Sequence, residues 1–201
     1  MADLIEEFVE FIKADTSLND GCILEFGTGS GRSTYRIASQ IDRTIHTYDG
    51  FAGLPKTEKG VPRGTGWEEG ALFFDELVTR KLLEPHDHVI IHKCMTFDLK
   101  DPVDYDIIKI CAANMDLDLY EGTVDALQFV DKCEWETLII RFDDWGHHND
   151  GIQIKEEVDA HEKAAFYEWL NETGHIAETS DEINYRSENR QAVFRIIRNV
   201  R

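Results

Sequence analysis

Two hydrophobic periods alternate along this chain. Leu4, Ile5, Phe8, Val9 and Ile12 recur at helical spacing near the start. Short apolar runs then follow at roughly 21–26, 43–49, 88–92, 107–116, 137–143, 175–186 and 191–198, and each reads as a strand. Helical patterns fill most of the intervals, over 33–41, 69–83, 124–131 and 154–171. Strands alternating with helices predict an α/β fold of Rossmann-like type, a mostly parallel sheet with helices on both faces. Only a polar turn, Ser187-Glu188-Asn189-Arg190, separates the last two strands. It leaves no room for a helix, so an antiparallel C-terminal pair is expected at the sheet edge. No repeat, low-complexity tract or linker interrupts the pattern, and 1–201 reads as a single domain.

Composition narrows the classes of function. With 201 residues, 42% of them hydrophobic and only four prolines, the chain can bury a proper core. Asp and Glu number 40 against 21 Lys and Arg, a net charge of −19. Such a field repels phosphate backbones and anionic bilayers, so neither nucleic acid nor membrane is expected as a partner. Cys22, Cys94, Cys111 and Cys133 lack C-x-x-C spacing and read as reduced core thiols. The N-terminus has no basic region of a secretory signal, and no apolar stretch approaches transmembrane length. A soluble, cytoplasmic protein is expected.

The most informative stretch runs from Cys22 to Thr34. An apolar run ends in Glu25, and Gly27, Gly29 and Gly31 then alternate with Thr28 and Ser30 before a helical pattern. A tight strand-to-helix turn of this kind brings backbone close against a ligand. The spacing is G-x-G-x-G, with Arg32 where the dinucleotide fingerprint has its third glycine, and no G-K-[ST] ending follows. Asp49 ends the next strand roughly 20 residues after the loop, the interval at which nucleotide-binding α/β folds place a carboxylate on ribose. An ordinary turn aspartate before Gly50 is the alternative. The glycine-rich segment 50–70, with Trp67, leaves the same sheet edge and reads either as a lid or as a plain connection.

A second group of acids lies further along. Met115-Asp116-Leu117-Asp118 ends one strand and Phe142-Asp143-Asp144-Trp145 the next. Residues two apart on a strand share a face, which predicts that Asp116 and Asp118 point the same way. Asp143 and Asp144 would converge on them at the ligand-binding edge. Crowded carboxylates repel unless protonated or bridged, and oxygen-only ligands suit Mg²⁺. Separate loop-capping aspartates are the alternative.

The glycine loop, Glu25-Phe26-Gly27-Thr28-Gly29-Ser30-Gly31, resembles the first motif of class I S-adenosylmethionine (SAM) methyltransferases. With it, three further blocks resemble in order those of the macrocin O-methyltransferase family: Asp49-Gly50-Phe51-Ala52-Gly53-Leu54-Pro55, Met115 to Thr123, and Phe142-Asp143-Asp144-Trp145-Gly146. The resemblance implies a class I methyltransferase sheet and an enzyme that uses SAM and Mg²⁺ to methylate a hydroxyl of a small molecule, a sugar or a phenolic or catechol-like acceptor. By it, Glu25, Gly27, Thr28, Gly29, Ser30, Gly31, Ser33, Asp49, Gly50 and Asp116 would bind SAM, with Asp49 on the ribose. Asp116, Asp143 and Asp144 would hold the metal, and Asp118 would be the general base. His147 or His148 is the alternative base. Gly50 and Gly122 depart from the family pattern, and family members carry a longer region ahead of the glycine loop. The short region here allows a homodimer in which one subunit completes the other's acceptor pocket.

The implied chemistry is direct displacement, in which the protein positions an oxygen in line with the SAM methyl. Mg²⁺ would lower the pKa of that hydroxyl, and adjacent hydroxyls could chelate together. Two other readings remain: a metal-independent class I methyltransferase acting on a nitrogen or oxygen, and a non-catalytic SAM-binding protein. Trp67, Trp145, Tyr120 and Phe51 are candidates for packing an acceptor ring, or are simply core.

Overall fold

The computed structural model describes residues 4–56, 69–145, 161–178 and 191–199. Its order is α1 (Leu4–Ala14), β1 (Cys22–Phe26), α2 (Arg32–Ala38), β2 (Ile45–Asp49), α3 (Glu76–Leu83), β3 (Val89–Lys93), β4 (Ile110–Met115), α4 (Tyr120–Lys132), β5 (Thr137–Phe142), α5 (Glu162–Thr173), β6 (Ile176–Glu178) and β7 (Ala192–Ile197). The strands form one sheet in the order β3-β2-β1-β4-β5-β7-β6. Pairings from β3 to β5 are parallel, and β7 runs antiparallel to both β5 and β6. The expected parallel sheet with an antiparallel C-terminal pair is therefore present.

Burial follows the strand period. Leu24, Phe26, Met115, Ile140 and Phe142 face one core, into which α4 and α5 insert Phe129, Phe166 and Trp169. Ile23, Ile45, Ala112 and Ile139 face the other, covered by α1 through Phe8 and Val9 and by α2 through Ile37. Helices on both faces leave the sheet's backbone satisfied by its ladders and its side chains dry. Several boundaries differ from the pattern-based expectation. The helix anticipated over 69–83 starts only at Glu76, where the Asp75 carboxylate accepts from the Leu77 amide at 2.9 Å and caps it. The strand anticipated over 107–116 is shorter, at Ile110–Met115, while α4 begins earlier than 124. The anticipated strand 175–186 is seen as Ile176–Glu178, and its remainder lies outside the described residues, as does the start of the helix anticipated over 154–171.

The chain reverses its direction of winding between β1 and β4, which are neighbours in space. Open α/β sheets bind ligands at such a switch point, beyond the carboxyl ends of the strands. Both acid-bearing loops and the glycine loop leave from those ends.

Candidate active site

The glycine loop is shaped from beneath. Gly27 and Thr28 amides donate to the Tyr48 carbonyl at 2.9 and 3.2 Å, and the Gly29 amide donates to Asp49 Oδ2 at 2.8 Å. Gly27 has φ 88°, and a Cβ there would lie 1.7 Å from the Asp116 carbonyl oxygen, so only glycine fits. Asp49 also accepts from the Phe51 amide at 2.6 Å, a turn-type contact, while facing the cavity.

Thr47, Glu25, Asn114 and Arg141 lie side by side on β2, β1, β4 and β5. Their side chains form one buried polar row beneath the loops. Thr34 and Thr47 hydroxyls and the Asn114 amide donate to Glu25, the last two at 3.0 and 2.9 Å. The Asn114 oxygen accepts from Arg141 Nη1 at 2.7 Å, and Arg141 Nη2 donates to Asp143. An acid and a guanidinium, each at most 1% exposed, are thus linked through one amide. Burial pushes the Glu25 carboxyl upward, and the hydroxyl and amide donors oppose the shift.

Above this row lies a cavity of about 650 Å³, a size suited to a cofactor with an acceptor beside it. Gly27, Thr28, Gly29, Ser30, Ser33, Asp49, Gly50 and Asp116 line it, as do Asp118, Asp143 and Asp144. Glu25 and Gly31, expected at the cofactor, lie behind the wall: Glu25 in the polar row, and Gly31 against Thr79 and Leu83 of the α3 segment. Leu54 exchanges backbone hydrogen bonds with Gly70 and Ala71 at 2.9 and 2.8 Å, closing the base of segment 50–70. Most of that segment, read either as a lid or as a plain connection, lies outside the described residues over 57–68, as does Trp67. His147 and His148 also lie outside them. Trp145 is 3% exposed and packs among Phe142, Phe166 and Phe194, and Phe51 is buried as well. Tyr120 donates to Glu168 rather than facing the cavity.

Asp116, Asp118 and Asp144 each offer one oxygen within 4.8 Å of the others. Their convergence does not arise from strand alternation, because β4 ends at Met115. Instead the chain turns back after the strand, with Asp118 at φ 60° and the Leu119 amide donating to the Leu117 carbonyl at 2.5 Å. Asp143, expected among the ligands, stands beside the group with Oδ1 accepting from Arg141 and, at 2.8 Å, from Gln191 Nε2. Burial holds the Asp116 carboxyl well above the usual carboxylate range, reinforced by the charges of Asp143 and Asp144 and opposed by Arg141. A hard dication would relieve that repulsion, and an oxygen-only donor set suits Mg²⁺.

Glu162, the first residue of α5, was not singled out in the sequence. It is fully buried, accepting from the Leu117 amide at 3.0 Å and the Asp144 amide at 2.9 Å. One local signal did mark Arg141, a lone charge inside the apolar run Leu138-Ile139-Ile140-Arg141-Phe142. Glu162 carries no comparable mark.

The sheet order, with the glycine loop at the switch point, is that of the Rossmann-like fold of class I methyltransferases. The solved structure of the O-methyltransferase NovP is similar to it, with TM-score 0.66 and 18% identity over 98% of this chain and 79% of that one. CalS11, a calicheamicin methyltransferase, gives TM-score 0.66 and 18% identity over 96% and 76%. Its apo structure is that of a TDP-rhamnose 3'-O-methyltransferase (TM-score 0.59, 16% identity, 96% and 77% covered). A SAM-dependent methyltransferase from Aquifex aeolicus gives TM-score 0.61 and 11% identity over 97% and 89%. No protein-family model matches the sequence, and no curated protein sequence does.

Proposed function

We propose that this chain is a SAM- and Mg²⁺-dependent O-methyltransferase of the macrocin O-methyltransferase type, acting on a hydroxyl of a small molecule. One observation carries the reading: the glycine loop and the cluster of Asp116, Asp118 and Asp144 share a single cavity, with the Asp116 backbone against Gly27. The O-methylating neighbours NovP and CalS11 support it. A sugar, phenolic or catechol-like acceptor suits a site with both apolar walls (Leu54, Leu72, Phe74) and carboxylates.

Asp116 and Asp144 would hold the cation, with Asp143 offering the oxygen that Arg141 and Gln191 do not engage. Bound SAM supplies an electrophilic methyl group, and bound Mg²⁺ orients and acidifies the acceptor hydroxyl. Asp118, 8% exposed, accepts the proton of that hydroxyl on its carboxylate. The cavity-lining part of the glycine loop (Thr28, Gly29, Ser30 and Ser33) and Asp49 would hold the cofactor, while Arg141 fixes Asp143 from below.

One observation favours a metal-independent methyltransferase instead: Arg141 already places a positive charge against the acids. Anomalous diffraction from crystals grown with S-adenosylhomocysteine (SAH) and Mn²⁺ separates the two. A manganese peak on Asp116 and Asp144 supports the metal mechanism. Bound SAH with no manganese at saturating concentration overturns it in favour of the second reading.

A further inference from the structure

Two loops carry the clustered acids, and one side chain ties them together. Asp116 and Asp118 follow β4, whereas Asp143 and Asp144 follow β5. Between the loops stands Glu162, whose Oε1 accepts the Leu117 amide at 3.0 Å and whose Oε2 accepts the Asp144 amide at 2.9 Å. Leu117 lies between Asp116 and Asp118, so each bond fixes the backbone next to, or at, a carboxylate of the cluster.

We infer that Glu162 is a positioning residue, holding the β4 and β5 loops at the separation that lets Asp116 and Asp144 share a cation with Asp118 beside it. The inference rests on the metal-dependent reading above. A carboxylate taken wholly out of water is costly unless its oxygens are satisfied, and both oxygens here receive a backbone donor. An apolar side chain would fill the same space at lower cost, so the gain lies in what the two bonds connect. Both join segments that otherwise belong to different strands. Burial and the charges of Asp144 and Asp116 push its carboxyl upward, and the two amide donors and the first turn of α5 oppose that push. Packing of Phe166 and Trp169 in the core anchors that helix, which makes Glu162 a rigid strut. With both oxygens used on backbone amides, Glu162 does not itself join the cluster of clustered carboxylate oxygens. It acts as an outer support of the kind that tunes metal affinity through ligand orientation.

The test compares the wild-type chain with Glu162→Gln and Glu162→Ala. Gln keeps the shape but presents an NH₂ to one of the two amides, so one bond is lost; Ala loses both. Mn²⁺ affinity is read by electron paramagnetic resonance, and SAH affinity by calorimetry in EDTA. Mn²⁺ binding is expected to weaken about 10–100-fold in both variants, more in Ala, with SAH affinity unchanged. That split is one a general loss of packing would not produce. If wild type and variants bind Mn²⁺ equally, the strut is overturned and the metal reading stands. If the variants lose Mn²⁺ and SAH together, or neither folds by near-ultraviolet circular dichroism, Glu162 serves the fold at large and the inference fails. If wild type itself binds no Mn²⁺, the metal reading fails and takes the inference with it.

Discussion

Gly27 and Asp116 meet backbone to backbone: a Cβ on Gly27 would sit 1.7 Å from the Asp116 carbonyl oxygen, and the Asp116 amide donates to the Phe26 carbonyl at 2.9 Å. The cofactor loop and the first acid-bearing loop are thus parts of one surface. The expected consequence is that Gly27→Ala damages both halves of the site. It places a Cβ at φ 88° and against backbone that cannot yield, so a stability loss of more than about 1 kcal/mol is expected in urea unfolding. SAH binding should fall with it, and retained SAH affinity would show that the loop tolerates the methyl group.

Asp118 is assigned the proton-accepting role. Asp118→Asn should lower kcat about 10²–10⁴-fold with a vicinal-diol or catechol acceptor. SAH affinity should persist, because Asp118 is assigned to the acceptor's proton and not to the cofactor. A variant with wild-type kcat would remove Asp118 from the mechanism.

Metal removal gives a direct check on the proposed chemistry. Dialysis against EDTA should abolish turnover, and added Mg²⁺ should restore it, while SAH binding in EDTA persists through the loop and Asp49. Full turnover in EDTA would favour the metal-independent reading.

His46 gives a pH dependence remote from the acids. Burial, then the charge of His92, lowers its folded-state pKa from 6.5 to about 4. Its Nδ1 lies 3.0 Å from His92 Nε2, and the two rings stack. Between those values the unfolded chain binds the extra proton. The stability contribution is therefore full above about pH 6.5 and is lost as pH falls towards 4. His46→Gln should flatten this part of the profile relative to wild type in urea unfolding at pH 5 and 7. Comparing the two proteins isolates the histidine from Asp116 and Glu162, whose raised pKa values slope the other way.

The fold rests on the second core as much as on the first. Phe8 is 0% exposed where α1 covers the sheet, and Phe8→Ala should cost about 3–5 kcal/mol in chemical denaturation.

The particular residues show where legibility ends. The glycine loop and Asp49 were readable because a tight turn and its flanking strand ends are made by neighbours in the chain. The pairing of Asp116 with Asp118 was anticipated on strand alternation, yet the turn after Met115, with Asp118 left-handed, produces it. The row from Thr47 through Glu25 and Asn114 to Arg141 depends on the register of four strands. Only the isolated charge of Arg141 hinted at it. Glu162 arrives 18 residues after Asp144 and carries no local signal.

The sequence by itself determined the alternation of strands and helices, the antiparallel C-terminal pair and the loop that bends too sharply for side chains. These follow from periodicity and turn chemistry, which act between residues close along the chain. Tertiary structure decided which carboxylates meet, which one is drawn aside by Arg141 and Gln191, and which buried acid joins the loops. Those outcomes depend on strand register and helix docking, where contacts between distant segments compete for the same oxygens and amides.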